Sequence, residues 1–193
     1  MTLKPIKLYW RNHVPNPSKV LIILEELNLP YETEWVELDG LKQKPFTDVN
    51  PNGRVPAIID PNTDLTLWES GAIVQYLIDT YDKDHKISYS TFPEKYHLAQ
   101  WSYFQASGQG PYFGQSAWYR VAGVLDKVLS TQEWLVGEKC TYADLAFVMW
   151  NMQITFFMGE EFPHFTRWQK AMLARGAVQK VVSVLGEEVV RSA

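Results

Sequence analysis

The stretch Asn50-Pro51-Asn52-Gly53-Arg54-Val55-Pro56-Ala57-Ile58 leads from a turn into an apolar segment, and Glu69-Ser70-Gly71-Ala72-Ile73 begins fourteen residues after Val55. Three kinds of chemistry meet in this pattern. A proline just before a buried strand, if its peptide bond is cis, aims the preceding carbonyl and N–H outward. Val55 could then pair its main chain with an extended peptide, strand to strand. Ser70, at a helix start, offers a hydroxyl and free backbone N–H groups to a carboxylate. Glu69 beside it can pair with an amine. A ligand with a peptide backbone, a carboxylate and an adjacent ammonium satisfies all three. Each residue also has a plain structural reading: Pro56 as an ordinary proline entering an edge strand, Ser70 as a simple N-cap, and Glu69 as a charge favoured near a helix start. The joint spacing favours the ligand.

These residues need elements to hold them. Residues 1–82 alternate between strand and helix signals. Ile6 to Trp10 is a predicted strand with Ile6 and Leu8 on one face. Asn16-Pro17 opens a helix, Asn16 as its cap and Pro17 as its first residue, with Val20, Leu21, Ile23, Leu24 and Leu27 at helical spacing. Asn28-Leu29-Pro30 stops it. From Thr33 to Leu38 the chain alternates as a second strand, Trp35 and Glu37 facing one way, Val36 and Leu38 the other. Lys42 to Asp48 is polar and makes at most a turn or two of helix. Ala57-Ile58-Ile59 is a buried strand, Asp60 to Asp64 a turn, and Leu65 to Trp68 its hairpin partner. Ser70 caps a helix with Ile73, Val74, Leu77, Ile78 and Tyr81 on one stripe. The order β-α-β-α-β-β-α is that of a thioredoxin-like fold, which by itself carries no function.

Residues 83–93 are polar and break the pattern, so they read as a linker. From 94 to 193 the signals are helical. Pro93-Glu94 opens a long helix, and Val121, Val124, Leu125, Val128 and Leu129 form a stripe. Thr141-Tyr142-Ala143-Asp144 has the form of a capping box with Asp at its third helical position, Cys140 and Leu145 serving as its hydrophobic staple. The fold class is therefore α/β plus all-α.

Composition narrows the function. The 193 residues are 46% hydrophobic and 21% charged, which excludes a disordered chain, a coiled coil or a collagen-like fibre. The net charge of −4 disfavours nucleic-acid binding through a basic face. A single cysteine, Cys140, excludes an internal disulfide and argues against a thiolate zinc site, so no metal is expected. No apolar run approaches the roughly 18 residues of a spanning helix, and the start of the sequence carries no leader. The expectation is a cytoplasmic protein without a membrane or nucleic-acid partner.

Asn50 to Pro56, followed by Trp68-Glu69-Ser70-Gly71-Ala72-Ile73, resembles the cytosolic glutathione transferase family. Leu27-Asn28-Leu29-Pro30-Tyr31 and Thr141-x-x-Asp144 extend the resemblance over nearly the whole chain. Pro15-Asn16-Pro17-Ser18-Lys19 and the segment from Ser107 to Gln115 are similar to a narrower fungal group, related to the nitrogen-regulatory prion protein. The resemblance implies a thioredoxin-like N-terminal domain and an all-helical glutathione-transferase C-terminal domain. It implies glutathione as co-substrate and a homodimer. Val55, beside a cis Pro56, would pair with the cysteinyl main chain, while Glu69 and Ser70 would hold the γ-glutamyl amine and carboxylate. Lys42, Lys44 or Arg54 would reach the glycyl carboxylate, with Lys42 preferred.

The family's catalytic position lies at the start of the first helix. Neither Tyr nor Cys occurs between residues 11 and 19, and Ser18 sits inside the predicted helix, so the role falls to Asn16. An amide cannot take the thiol proton, but it can donate a hydrogen bond to a thiolate. Asn16 also reads as the helix cap, and one side chain does not easily serve both. The absence of an active-site cysteine argues against the thiol-disulfide branch. A second substrate, an apolar or aromatic electrophile, is expected between the domains, near His13, Phe104, Tyr112, Phe113 and Trp118, with Gly108, Gly110 and Gly114 making an irregular, open helix segment. Between Arg120 and Val121 the chain is about twenty residues shorter than the family pattern. Detoxification and secondary metabolism both fit this reading, and a glutathione-binding regulator or a glutathione-dependent peroxidase are its rivals.

Overall fold

The structure, a computed structural model, describes residues 2–11, 14–111, 118–154 and 161–191. The chain divides into two compact units, Met1–Tyr81 with Lys180–Ala193, and Asp82–Gln179.

The first unit runs β1 (Ile6–Trp10), α1 (Pro15–Glu26), β2 (Tyr31–Trp35), a 3-10 turn (Gly40–Lys42), α2 (Phe46–Val49), β3 (Ala57–Asp60), β4 (Leu65–Trp68) and α3 (Ser70–Tyr81). The sheet order is β2-β1-β3-β4. β1 pairs parallel with β2 and antiparallel with β3, and β3 and β4 form the hairpin. This is the thioredoxin-like order the sequence predicted.

Side chains alternate across the sheet. Tyr9, Val36, Phe46, Val55 and Ala57 pack together on the α2 side. Ile6, Leu8, Trp10 and Ile58 therefore face the other way, where α1 and α3 lie; Ile22, Ile23, Leu24, Ile73 and Leu77 are fully buried there.

Three local expectations are corrected. The first helix begins at Pro15, with Val14 at its cap and no side-chain cap hydrogen bond. Pro15 lacks an N–H and has a preset φ, so it fits the first helical position as well as Pro17 does. Asn16 thus lies inside the helix and is not its cap. Similarly, α3 starts at Ser70 itself, and the Ile73 N–H donates to the Glu69 carbonyl at 2.9 Å. Ser70 is the first helical residue, and Glu69 stands at the cap. The second strand lies two residues earlier than predicted. Its register with β1 starts at Ile6–Tyr31, and the chain leaves the sheet after Trp35, so that Leu38 is exposed.

The end of α1 follows its sequence closely. Asn28 adopts φ 51°, its N–H donates to the Glu25 carbonyl, and the Leu29 N–H donates to the Leu24 carbonyl. This is a Schellman close, with Asn taking the left-handed position that glycine usually fills.

The second unit contains α4 (Glu94–Phe104), α5 (Trp118–Leu129), α6 (Tyr142–Leu145), α7 (Val148–Ile154) and α8 (Pro163–Leu173). The C-terminal helix α9 (Gly176–Arg191) begins in this unit and continues into the first. There Lys180 Nζ lies 2.8 Å from the Glu25 carboxylate. α4 runs on as a π-helical turn, Gln105–Gln109. α5 continues unbroken through Arg120 and Val121.

The Thr141 capping box forms, and Asp144 does more than close it. One carboxylate oxygen accepts from the Thr141 N–H and Oγ1, the other from the Leu135 N–H and Trp168 Nε1. Burial pushes this carboxyl above the ordinary range, outweighing the four hydrogen bonds that favour the anion. Cys140 and Leu145 are both buried beside it.

Candidate functional site

The loop before β3 is built by Asn50, which is 1% exposed. Its Nδ2 donates to the Arg54 carbonyl at 2.6 Å, its Oδ1 accepts from the Asn52 N–H at 2.9 Å, and its carbonyl accepts from the Gly53 N–H. One side chain thus shapes the turn that delivers Val55 to the sheet. Gly53 has φ 59°, and a Cβ there would lie 2.5 Å from the Leu41 carbonyl oxygen and 2.7 Å from Lys42 Cδ. Both the backbone conformation and the close approach require glycine.

The Val55–Pro56 peptide bond is cis. The Val55 side chain is buried in the α2-side cluster, while neither of its main-chain polar groups hydrogen-bonds to a described residue. An exposed pair of this kind is what an extended peptide can join.

Glu69 and Ser70 lie at the junction of β4 and α3. Glu69 has φ 73°, a left-handed conformation that is uncommon outside glycine and asparagine and that concentrates at functional sites. Ser70 is 7% exposed, and no described residue hydrogen-bonds its hydroxyl. A buried hydroxyl at a helix N-terminus, next to a carboxylate held by a strained backbone, can accept a carboxylate and an ammonium side by side.

Asn16 is half-buried at the second position of α1. Relieved of the capping role, it sits where the helix N-terminus supplies favourable partial charge to an anion. Ser18 is buried within the helix.

The three basic candidates for a second carboxylate are unequally placed. Lys42 Nζ donates to the Asn52 carbonyl at 2.6 Å and its stem covers Gly53, so it is built into the loop. Lys44 pairs with Asp48 at 3.0 Å. Arg54 is exposed, with no ion pair or hydrogen bond to a described residue from its guanidinium. Its charge is the one available to a ligand.

One residue was missed by sequence reasoning. Lys19 is 3% exposed in α1, one turn beyond Asn16. Burial pulls its ammonium down to about 8, against the attraction of Glu69. The signal was available: Pro17 to Leu24 are all buried, so α1 is buried nearly all round, and a lysine in such a helix is costly. Asn50 was quoted as part of a motif, but its role in shaping the turn was not foreseen.

Of the residues expected around a second substrate, His13, Tyr112, Phe113 and Gly114 lie outside the described residues. Phe104 belongs to the second unit, its ring 5.6 Å from Trp101 and 6.3 Å from Phe147, with Gly108 against it. Trp118 packs on Tyr119 at 5.7 Å. The glycine-bearing segment is irregular in the described part, as the π-helical turn shows.

Comparison with known proteins follows the two units. Residues 15–80 match the glutathione S-transferase N-terminal domain, and residues 115–176 its C-terminal domain. The chain is 45% identical to the glutathione S-transferase-like protein gedE of Aspergillus terreus, over 95% of this chain and 96% of that one. That alignment spans 219 positions, more than the 193 residues present, so the relative carries segments with no counterpart here. Among solved structures, the transferase URE2P8 of Phanerochaete chrysosporium with oxidized glutathione superposes with a TM-score of 0.92 at 38% identity, covering 97% of each chain. Ure2p5 of the same organism, cocrystallized with 1-(S-glutathionyl)-2,4-dinitrobenzene, gives 0.90 at 37% identity over 98% of each.

Proposed function

The chain belongs to the glutathione S-transferase family, and from that premise we propose that it joins the glutathione thiolate to an apolar or aromatic electrophile. The observation that carries the reading is the start of α3, where the buried Ser70 hydroxyl has no described partner and Glu69 stands beside it in a left-handed conformation. Ser70 and the first N–H groups of α3 receive the γ-glutamyl carboxylate, and Glu69 its ammonium. The Val55 main chain pairs with the cysteinyl residue. Arg54 meets the glycyl carboxylate.

This arrangement delivers the thiol toward the start of α1. There the Asn16 amide donates to the sulfur and the helix end favours its anion. Lowering a thiol pKa from about 8.5 to near 7 requires about 2 kcal/mol. A charge-assisted hydrogen bond and a helix N-terminus together are of that size. The thiol proton leaves to water, the thiolate attacks an electrophilic carbon, a carbon–sulfur bond forms, and the leaving group departs with its electron pair. This scheme uses no metal. Under the same reading the protein is a cytoplasmic homodimer, which sedimentation and cell fractionation check.

The test is a comparison of two assays on the purified protein: conjugation of a chlorodinitrobenzene to glutathione, and glutathione-dependent reduction of an organic hydroperoxide. Conjugation is expected to dominate. A faster hydroperoxide reaction would make the protein a peroxidase. Tight glutathione binding with neither turnover would make it a regulator.

A further inference from the structure

Lys19 is a buried cation in the element that carries Asn16. The two residues are three apart on α1 and so share a helix face. Of the elements packed on α1, β1 turns Leu8 and Trp10 to this side, and α3 brings Glu69 at its start. Glu69 attracts the Lys19 ammonium, yet burial still outweighs that attraction. A charge under-compensated in this way gains from any further anion brought near it. Ser70, next to Glu69, has the buried hydroxyl that would hold such an anion.

We propose that Lys19 is a specificity-determining residue: with Glu69 it forms a fixed pair of opposite charges that selects ligands carrying both a carboxylate and an ammonium on one carbon. This rests on the glutathione reading and adds to it. Lys19 favours the α-carboxylate of the γ-glutamyl end, Glu69 favours its ammonium, and neither charge suffices alone. A ligand lacking the carboxylate leaves Lys19 under-compensated; one lacking the ammonium meets Glu69 with its carboxylate. The protein thereby discriminates γ-glutamyl peptides from other cysteinyl peptides through electrostatics at a site that Ser70 alone would leave permissive.

The experiment is calorimetric titration of the full chain at pH 7 with S-methylglutathione, whose thiol cannot titrate, and with the analogue in which 4-aminobutanoyl replaces γ-glutamyl, removing only the α-carboxylate. In the wild type the analogue should bind at least about tenfold more weakly. In Lys19→Met, S-methylglutathione should itself weaken about tenfold, and removal of the carboxylate should then cost less than about threefold. Equal penalties in the two proteins would overturn the role of Lys19 while leaving glutathione binding intact. No binding of S-methylglutathione to the wild type would overturn the glutathione reading, and this one with it. A second variant keeps the test independent of whether Lys19→Met folds. Arginine stays charged at every accessible pH. Between pH 7 and 9.5 wild-type affinity should therefore fall more steeply than that of Lys19→Arg, and parallel profiles would refute the proposal.

Discussion

Replacing Lys19 by methionine should stabilise the ligand-free protein. Lys19 titrates at about 8 in the fold against an ordinary 10.5, because it is buried. A difference of that size between folded and unfolded chains is worth about 3 kcal/mol. The sign follows from proton counting. Between pH 8 and 10.5 the unfolded chain holds a proton that the folded chain has lost, so stability rises with pH across that window. Below pH 8 both hold it, and the full cost of burying the ammonium is present. Methionine has a similar unbranched stem and carries no charge. At pH 7, Lys19→Met should therefore gain up to about 3 kcal/mol, and the gain should shrink toward pH 10.5. Urea unfolding followed by tryptophan fluorescence, at pH 7, 8, 9 and 10, measures this in both proteins. The midpoint should move up at pH 7 with an unchanged m-value. Tyrosines that titrate at the upper end are common to both proteins and cancel in the comparison. A variant less stable than wild type at pH 7, or one whose advantage is the same at every pH, would refute the reasoning. A residue that costs stability in the empty protein and helps once ligand arrives is the usual form of a stability–function trade.

Further outcomes are expected at three positions. Asn16→Ala should leave the unfolding midpoint nearly unchanged, since Asn16 is not the cap, while chlorodinitrobenzene turnover falls at least about tenfold; unchanged turnover would move the catalytic role elsewhere. Asn50→Ala removes two side-chain hydrogen bonds from the turn before β3 and should cost about 2 kcal/mol. It should also raise the KM for glutathione more than it lowers kcat, and the reverse split would show that the turn does not position the binding residues. Asp144→Ala leaves the Thr141 and Leu135 N–H groups and Trp168 Nε1 without their acceptor, at a cost of about 3–5 kcal/mol read by urea midpoint; a loss under about 1 kcal/mol would mean that the buried carboxylate is not the hub its contacts describe.

Much of this protein is written locally. The strand Ile6–Trp10, the Asn28 helix close, the Asp60–Asp64 turn and the Thr141 capping box each depend on residues within a few positions of one another, so periodicity and turn chemistry reveal them. The motif pair around Val55 and Glu69 was legible for the same reason: a proline before a strand and a serine at a helix start are local signals. Their meeting required only that β3 and β4 form a hairpin, which the turn residues announce. Helix starts were less legible where two prolines compete, as at Pro15 and Pro17, and where the cap is a glutamate in an unusual conformation, as at Glu69.

Tertiary structure decided the electrostatics. Nothing near Lys19 in sequence says that its ammonium is buried or that Glu69, fifty residues on, is the charge that attracts it, because burial and long-range attraction exist only once α1 lies against α3 and the sheet. The same holds for the basic residues: Lys42, Lys44 and Arg54 look alike in the sequence, and only folding commits the first to the turn and the second to Asp48 while leaving Arg54 exposed to solvent. It holds too for Asp144, whose two partners beyond the capping box, Leu135 and Trp168, lie nine residues before it and twenty-four after it. The sequence by itself determined which elements form and which residue types stand at their ends. The packed chain determined which of those charges are desolvated, since a side chain's cost or gain depends on what replaces its water.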